Sequence, residues 1–262
     1  RHCRSGSLTL VEVTYLRDMS TSNALADLFF DLDRTLWDFD RNSREALEEI
    51  FVEIAQPNLP QVKTAAEFIP VYEAENEKCW KAYREGRITK EELRPLRFRK
   101  AVEGLGIPSF DAMDTLAEAM GTAYVQRAPY RTALFDGAID VCRALKVRGH
   151  RMFVLTNGFE EVQHIKVNRS GLEPFFDGVF TSDALGFKKP HPECFAKGLA
   201  LAGSSAERAV MIGDDWECDV DGAIQAGWGA IHFDPHQPAA PSSNPRRISE
   251  LSALLDLDFN QR

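Results

Sequence analysis

The chain has 262 residues, which allows one large domain or a core with a smaller second domain. Its net charge of −9 argues against a surface that coats nucleic acid, and no apolar run is long enough to span a membrane. The five cysteines are scattered without metal-binding spacing, so we expect free thiols and a reducing, cytoplasmic location. Three of them, Cys142, Cys194 and Cys218, occupy positions typical of a buried helix face.

Residues 1–24 are predicted to form a leader or tag-like extension that does not belong to the fold. The apolar stretch from Leu8 to Leu16 contains Glu12, and no clear small-residue cleavage site follows it, so it makes a poor signal peptide. Met19 then precedes a polar run. A short additional strand remains an alternative for this region.

The first strand is predicted to end at two carboxylates. The apolar run of residues 28–30 precedes Asp31 and Asp33, which begin on the same side because alternate side chains of an extended backbone share a face. The carboxyl ends of strands form the ligand-binding edge of open α/β sheets, and two close carboxylates attract a hard cation such as Mg²⁺. A turn with solvated acids is the alternative. A calcium loop does not fit, because Leu36 and Asn42 replace its glycine and glutamate.

Residues 43–131 are predicted to form an all-helical cap. A small hairpin or flap over residues 37–42 leads into a helix that begins near Arg44, with Asn42 or Ser43 as its N-terminal cap. Because the insert follows the first strand directly, it can lie over the edge of the sheet where Asp31 ends that strand. Further cap helices are predicted at about residues 65–85, 89–103 and 110–127.

Residues 25–42 and 132–262 are predicted to form the core. Strands and helices alternate in the second part, which is typical of an α/β fold with a Rossmann-like, doubly wound parallel sheet. A polar loop rich in proline and serine is predicted at residues 237–246. The strands are predicted at residues 151–155, 178–181, 209–212 and 229–233, and the helices at about 138–148, 160–170, 192–202, 217–226 and 248–255.

Polar residues follow two of the later strands or lie in the loops between them. Thr156 and Asn157 precede a helix, where hydroxyl, amide and backbone N–H groups can bind an anion, although Thr-Asn-Gly is also a common turn. Lys189 is held by the proline that follows it, and a fixed ammonium stabilises a transferring phosphoryl group. A solvated surface lysine is the alternative for this position.

Three aspartates follow the strand predicted at residues 209–212. Asp214 is the candidate metal ligand, because it ends the strand as Asp31 does. Asp215 and Asp219 are candidates for supporting roles, in which Asp219 orders Lys189 or metal-bound water. Acids at a helix N-terminus also serve as caps, which is the alternative for Asp215.

These segments, in this order, resemble the haloacid dehalogenase-like (HAD) superfamily of Mg²⁺-dependent phosphohydrolases. The resemblance implies a Rossmann-like core with a helical cap, Mg²⁺ as cofactor and a small phosphorylated metabolite as substrate. It is carried by Asp31-Leu32-Asp33-Arg34-Thr35, Thr156, Lys189-Pro190, Gly213-Asp214 and Asp219.

The resemblance also implies a role for each matching residue. Asp31 would be the nucleophile, and Asp33 the general acid and base. Thr156 would bind the phosphoryl group, and Lys189 would support it. Mg²⁺ would be held by Asp31, Asp214 and the backbone carbonyl of Asp33. Dehalogenases of the superfamily lack an acid at the position of Asp33, so its presence favours phosphoester hydrolysis.

Within the superfamily, the first motif through Ser43 and the cap segment 86–98 are similar to bacterial pyrimidine 5′-nucleotidases that remove noncanonical nucleotides. Trp37, together with the aromatic residue two positions later, would then stack on a base. Asn157 would contact substrate, and Arg94 or Arg97 would meet a phosphate or a carbonyl. In the alternative, the aromatic residues pack the hinge and the arginines pair with neighbouring glutamates.

The sequence is compatible with two other functions. One is a sugar-phosphate phosphatase of the same superfamily, and the other is a non-catalytic protein that binds phosphate as a sensor. The complete set of Asp31, Asp33, Lys189 and Asp214 favours an enzyme. We expect a monomer or homodimer with no nucleic-acid or membrane partner.

Overall fold

A computed structural model describes residues 25–240 and 242–260, so the predicted extension over residues 1–24 lies outside the described part. The core is a six-stranded parallel sheet, which confirms the α/β class. The strands are β1 (Asp27–Phe30), β2 (Arg151–Thr156), β3 (Gly178–Thr181), β4 (Ala209–Gly213), β5 (Gly229–Phe233) and β6 (Arg246–Ile248).

The strand order places β1 in the middle of the sheet. The order is β3-β2-β1-β4-β5-β6, so the chain moves outward on one side of β1 and then on the other. Phe30 at the end of β1 is in register with Val154 of β2 and Ile212 of β4. Ligands of open α/β sheets bind where the strand order reverses, so the carboxyl ends of β1 and β4 define the expected site.

Alternating residues of β1 contribute to two hydrophobic layers, one on each face of the sheet. Leu28 and Phe30 belong to the layer that includes Leu145. Phe29 belongs to the opposite layer, where it contacts Phe153 and the indole of Trp228. Both faces of β1 are therefore covered, which explains why the strand reads as a continuous apolar run.

Helices cover both faces of the sheet and form a separate cluster between β1 and β2. Cys142, Cys194 and Cys218 are buried, as predicted. Among the described residues, no helix is long and apolar enough to cross a membrane. The helices are α1 (Phe39–Ile50), α2 (Ala65–Arg84), α3 (Lys90–Gly104), α4 (Met113–Arg127), α5 (Ala138–Val147), α6 (Glu160–Arg169), α7 (Ser182–Leu185), α8 (Pro192–Ala202) and α9 (Gly222–Gln225).

Short π-helical and 3-10 segments adjoin several of these helices or lie between them. The π-helical segment before α9 contains several of the acidic residues that follow β4. The π-helical turns are Phe51–Ala55 and Trp216–Asp221, a three-residue α-helical turn is Gln56–Asn58, and the 3-10 turns are Ala128–Tyr130, Glu173–Phe175 and Leu251–Asp256.

The inserted helices have a hydrophobic core of their own. Phe68 and Tyr72 of α2 pack with Phe98 of α3 and Met120 of α4, all of them buried. A smaller cluster that includes Tyr83 of the insert and Phe159 of the sheet domain joins the two parts.

The start of α1 differs from the sequence prediction, which placed a flap over residues 37–42 and the helix start near Arg44. The helix begins at Phe39, because the Asp38 carboxylate accepts a hydrogen bond from the Arg41 backbone N–H. Asn42, predicted as a cap, is instead buried inside the helix and exchanges two hydrogen bonds with the backbone of Ala133. The sequence did not reveal this contact, because its partners lie about ninety residues apart in the chain.

The C-terminal segment also differs from its prediction as a helix over residues 248–255. Residues Arg246–Ile248 form β6 against β5, and only Leu251–Asp256 is helical, as a 3-10 turn. A strand of three residues is too short to show an alternating pattern. The exposed edge of β5 provides the hydrogen bonds that make it a strand.

Phe29→Ala is expected to lower the free energy of unfolding by about 3–5 kcal/mol, because Phe29 is fully buried between two aromatic rings. Val147→Ala, at a side chain that is 84% exposed, should change it by less than about 0.5 kcal/mol. Chemical denaturation of both variants tests this. A loss below about 1 kcal/mol for Phe29→Ala would contradict the packing described.

Candidate active site

A buried lysine links two carboxylates at the carboxyl edge of the sheet. The Lys189 Nζ lies 2.7 Å from Asp31 Oδ1 and 2.5 Å from Asp219 Oδ1. It also donates a hydrogen bond of 2.7 Å to the Leu155 carbonyl at the end of β2. All three charged side chains are nearly inaccessible to solvent. A charge buried this deeply is stable only when it is paired, so each member depends on the others.

Asp219 reaches this lysine because of the turn that follows β4. Its Oδ2 accepts a hydrogen bond from the Asp215 backbone N–H. Gly213 leaves the necessary space, because a Cβ at that position would lie 2.2 Å from the same oxygen. Asp215 itself caps the turn by accepting from the Cys218 N–H, which corresponds to its alternative reading as a cap.

The pKa values of the three buried acids are raised, first by burial and then by the neighbouring carboxylates. Burial, followed by the repulsion of Asp219, raises the pKa of Asp214 to about 7. Burial also raises the pKa of Asp31 well above its usual range, although Lys189 opposes this, and the pKa of Asp219 is raised in the same way. For Lys189, the carboxylates of Asp219 and Asp31 outweigh the opposing effect of burial and raise its pKa.

The acids at this edge fit a hard divalent cation. Oxygen atoms of Asp31, Asp214 and Asp219 all lie within 4.8 Å of one another. Carboxylate oxygens are the ligands that hard cations take, and the charge of a cation would stabilise these buried carboxylates and relieve the repulsion between them. Both oxygens of Asp219 already have donors, Lys189 at Oδ1 and the Asp215 N–H at Oδ2, whereas Lys189 binds Asp31 at Oδ1. Asp31 and Asp214 are therefore the side chains best placed to bind the ion. The Asp33 backbone carbonyl remains a predicted ligand.

Thr156 and Asn157 lie beside this centre and line the same pocket. The Thr156 hydroxyl accepts a hydrogen bond from the Gly158 backbone N–H. Asn157, the predicted substrate contact, uses both groups of its amide to bind the backbone of Lys189. Its Oδ1 accepts from the Lys189 N–H at 2.7 Å, and its Nδ2 donates to the Lys189 carbonyl at 2.9 Å. The amide therefore positions the lysine.

Asp33 lines the pocket but has partners of its own. Its Oδ1 lies 2.5 Å from the ammonium of Lys166, a second lysine separate from Lys189. Its Oδ2 accepts a hydrogen bond of 2.9 Å from Gln163 Nε2. Sequence reasoning missed both partners. The available signal was their spacing of three residues on one face of α6, directly after the Thr156 segment.

The predicted substrate contacts Trp37, Arg94 and Arg97 have partners within the protein. Trp37 is completely buried, and its indole N–H donates to the Arg131 carbonyl where the chain returns from the insert. Arg94 pairs with Glu161 of α6. Arg97 is buried and donates to Asn76 Oδ1. These contacts agree with the alternative interpretation, in which the three side chains pack or form ion pairs. The difference is that the acidic partner of Arg94 belongs to the sheet domain.

One face of α2 covers the pocket, and the sequence had not indicated this role for the helix. Asn76, Trp80 and Arg84 follow one another at intervals of four residues, so they share a face of the helix. Phe39 and Arg34 complete the entrance on the side of the core. A stripe of amide, aromatic and basic residues at helical spacing was the signal in the sequence.

Removing the metal should destabilise the protein increasingly as the pH rises. The pKa of Asp214 is about 7 in the folded state, above its ordinary 3.8. The folded protein therefore holds this proton more tightly than the unfolded chain, and the stability that the proton contributes to the fold is lost as the pH rises from about 4 to about 7. In EDTA at pH 8, Asp214→Asn should therefore melt roughly 5 °C above the wild type, with a smaller difference at pH 5. Mg²⁺ should stabilise the wild type but not Asp214→Asn.

Thermal melts of the two proteins at both pH values, with Mg²⁺ or with EDTA, provide this measurement. Asp140→Asn, at an exposed acid of α5, is the matched control and should respond like the wild type. Equal stabilisation of Asp214→Asn by Mg²⁺ would contradict the site.

Comparisons with known proteins agree with this geometry. A family model described as haloacid dehalogenase-like hydrolase matches residues 28–227. The pyrimidine 5′-nucleotidase YjjG of Escherichia coli is 32% identical over 87% of this chain and 96% of its own length. PynA of Streptococcus pneumoniae, also a pyrimidine 5′-nucleotidase, is 31% identical over 80% and 84%. The magnesium-bound crystal structure of the HAD-hydrolase YfnB from Bacillus subtilis matches with a TM-score of 0.76 at 26% identity, over 88% and 97%. The chain belongs to the haloacid dehalogenase-like hydrolases.

Proposed function

We propose that this protein is a Mg²⁺-dependent phosphomonoester hydrolase that acts on nucleoside 5′-monophosphates through an aspartyl-phosphate. The observation that carries the chemistry is the buried Lys189 bridging Asp31 and Asp219, beside the second acid Asp33. The relatives that act on pyrimidine nucleotides support the substrate class. In this proposal, residues 25–42 and 132–262 are the catalytic core, and residues 43–131 are the cap.

In the first step, a carboxylate oxygen of Asp31 attacks phosphorus and the bond from phosphorus to the ester oxygen breaks. Lys189 holds Oδ1 of Asp31, which leaves Oδ2 for the attack. Asp33 gives its proton to the departing oxygen, so the alcohol leaves neutral. Bound Mg²⁺, held by Asp31, Asp214 and the Asp33 backbone carbonyl, would neutralise phosphoryl charge.

In the second step, water attacks the aspartyl-phosphate. Asp33, now ionised, takes the proton of the water, and the bond between phosphorus and the Asp31 oxygen breaks to release inorganic phosphate. Thr156 and the neighbouring backbone N–H groups offer donors to the phosphoryl oxygens in both steps. Both Asp31 and Asp33 thereby return to their starting protonation states.

Aromatic and amide groups of the pocket support a nucleotide as substrate. Phe39, one of the two aromatic residues predicted to stack on a base, and Trp80 supply ring surfaces in the pocket. Arg97 can only donate, so its hydrogen bond occupies Asn76 Oδ1 and leaves the Asn76 Nδ2 for a base carbonyl. We place the protein in the cytoplasm as a monomer or homodimer, without nucleic-acid or membrane partners.

Asp31→Asn should reduce phosphate release by at least about 10³-fold, because a neutral amide cannot attack phosphorus. The assay compares pyrimidine and purine nucleoside monophosphates, sugar phosphates and p-nitrophenyl phosphate, each with Mg²⁺ or EDTA. Selective, Mg²⁺-dependent turnover of pyrimidine nucleotides is the expected result. Turnover of sugar phosphates alone would leave the mechanism and reject the nucleotidase, and binding of phosphate without any turnover would favour a sensor.

Trp80→Ala should lower kcat/KM for a pyrimidine nucleoside monophosphate by about 10-fold, because loss of one base–aromatic contact costs about 1–3 kcal/mol. The same variant should hydrolyse p-nitrophenyl phosphate within about 3-fold of the wild type. Tyr130→Ala, at an exposed aromatic side chain of the same helical insert, serves as the control. An equal loss for both substrates would reject a role of Trp80 in selecting the base.

A further inference from the structure

The acid Asp33 lies beyond the end of β1, where the strand no longer determines its side-chain direction. The strand ends at Phe30, and Asp33 belongs to a turn in which the Arg34 N–H donates to the Trp37 carbonyl. A general acid must remain within hydrogen-bond reach of the oxygen that it protonates. Contacts from outside the turn are therefore needed to fix the carboxylate.

Two side chains of α6 provide these contacts. Lys166 and Gln163 each bind a different oxygen of Asp33, at 2.5 Å and 2.9 Å respectively. Both side chains are at least 95% buried, although the side chain of Asp33 is 25% exposed to the pocket. Two donors on two oxygens restrict rotation of the carboxylate, because any turn about its last bond breaks one of them.

The residues around Lys166 and Gln163 are shaped to hold them. The Lys166 ammonium lies 4.2 Å from the centroid of the Trp37 ring and 5.7 Å from that of Phe39, so two aromatic faces hold the cation against Asp33. A Cβ on Gly158 would lie 1.7 Å from Gln163 Nε2. The glycine is thus the residue that lets this amide reach Asp33.

We propose that Lys166 and Gln163 are positioning residues that hold Asp33 in place to protonate the leaving group. The inference rests on the proposed phosphatase function but not on the choice of substrate. In this proposal, Trp37 holds the ammonium of Lys166, and Gly158 leaves room for the amide of Gln163. Loss of a purely structural ion pair would slow the hydrolysis of all phosphate esters alike, whether or not their leaving group needs a proton.

The test compares phenyl phosphate with p-nitrophenyl phosphate. The two esters have similar shapes, but p-nitrophenolate departs readily without a proton, whereas phenolate depends much more on the acid. In Lys166→Met, kcat/KM for phenyl phosphate should fall by about 10- to 100-fold, and for p-nitrophenyl phosphate by less than about 3-fold. Because kcat/KM covers the steps through formation of the aspartyl-phosphate, it isolates the role of Asp33 as an acid.

A double-mutant cycle identifies the residue through which Lys166 acts. In an Asp33→Asn background, Lys166→Met should change kcat/KM for phenyl phosphate by less than about 2-fold, because no acid remains to be positioned. Gln163→Met should repeat the selective loss and serves as a second variant if Lys166→Met does not fold. Lys146→Met removes the ion pair between Lys146 of α5 and Asp177, which precedes β3, and should leave the hydrolysis of both esters unaffected.

The possible failures are distinguishable. Equal losses for both esters, or the same loss in the presence and absence of the Asp33 carboxylate, would overturn the positioning role while leaving the phosphatase intact. If the wild type hydrolysed neither ester nor any nucleotide, the proposed function and this inference would both be rejected.

Discussion

The ion pairs of Lys189 with Asp31 and Asp219 are the constraint on which the rest of the site depends. A fully buried ammonium is costly unless carboxylates and carbonyls surround it, so the lysine brings together the ends of β1 and β2 and the turn after β4. The Asn157 amide forms two hydrogen bonds with the backbone of Lys189, and Gly213 leaves space for Asp219. Loss of either carboxylate would leave the buried ammonium with one charged partner fewer.

The arrangement also separates two carboxylates that lie only two residues apart in the chain. Asp31 is buried against Lys189, whereas Asp33 faces the pocket and binds Lys166 and Gln163. In the proposed mechanism, the first is a nucleophile and the second exchanges protons. Different surroundings are the general means by which neighbouring acids acquire different roles.

The helical insert contributes to the pocket without supplying any of the groups proposed for the chemistry. Its helix α2 presents Trp80, which stacks on Phe159 of the sheet domain with ring centroids 5.2 Å apart. Nearby, Lys90 of the insert pairs with Asp183 and Glu161 of the sheet domain. In the proposed function, the insert therefore takes part in contacting the base, whereas the groups of the phosphoryl transfer belong to the sheet domain.

The sequence by itself determined the central strands, most helices and the set of acidic and basic residues at the edge of the sheet. Buried strands such as β1 must be apolar on both faces, and polar residues then mark the points where they end. Tertiary structure decided the start of α1, the pairing of β6, and the partners of Asn157 and Asp33. Each of these depends on contacts between distant segments, such as Asn42 with Ala133 or Lys166 with Asp33, which no local pattern encodes.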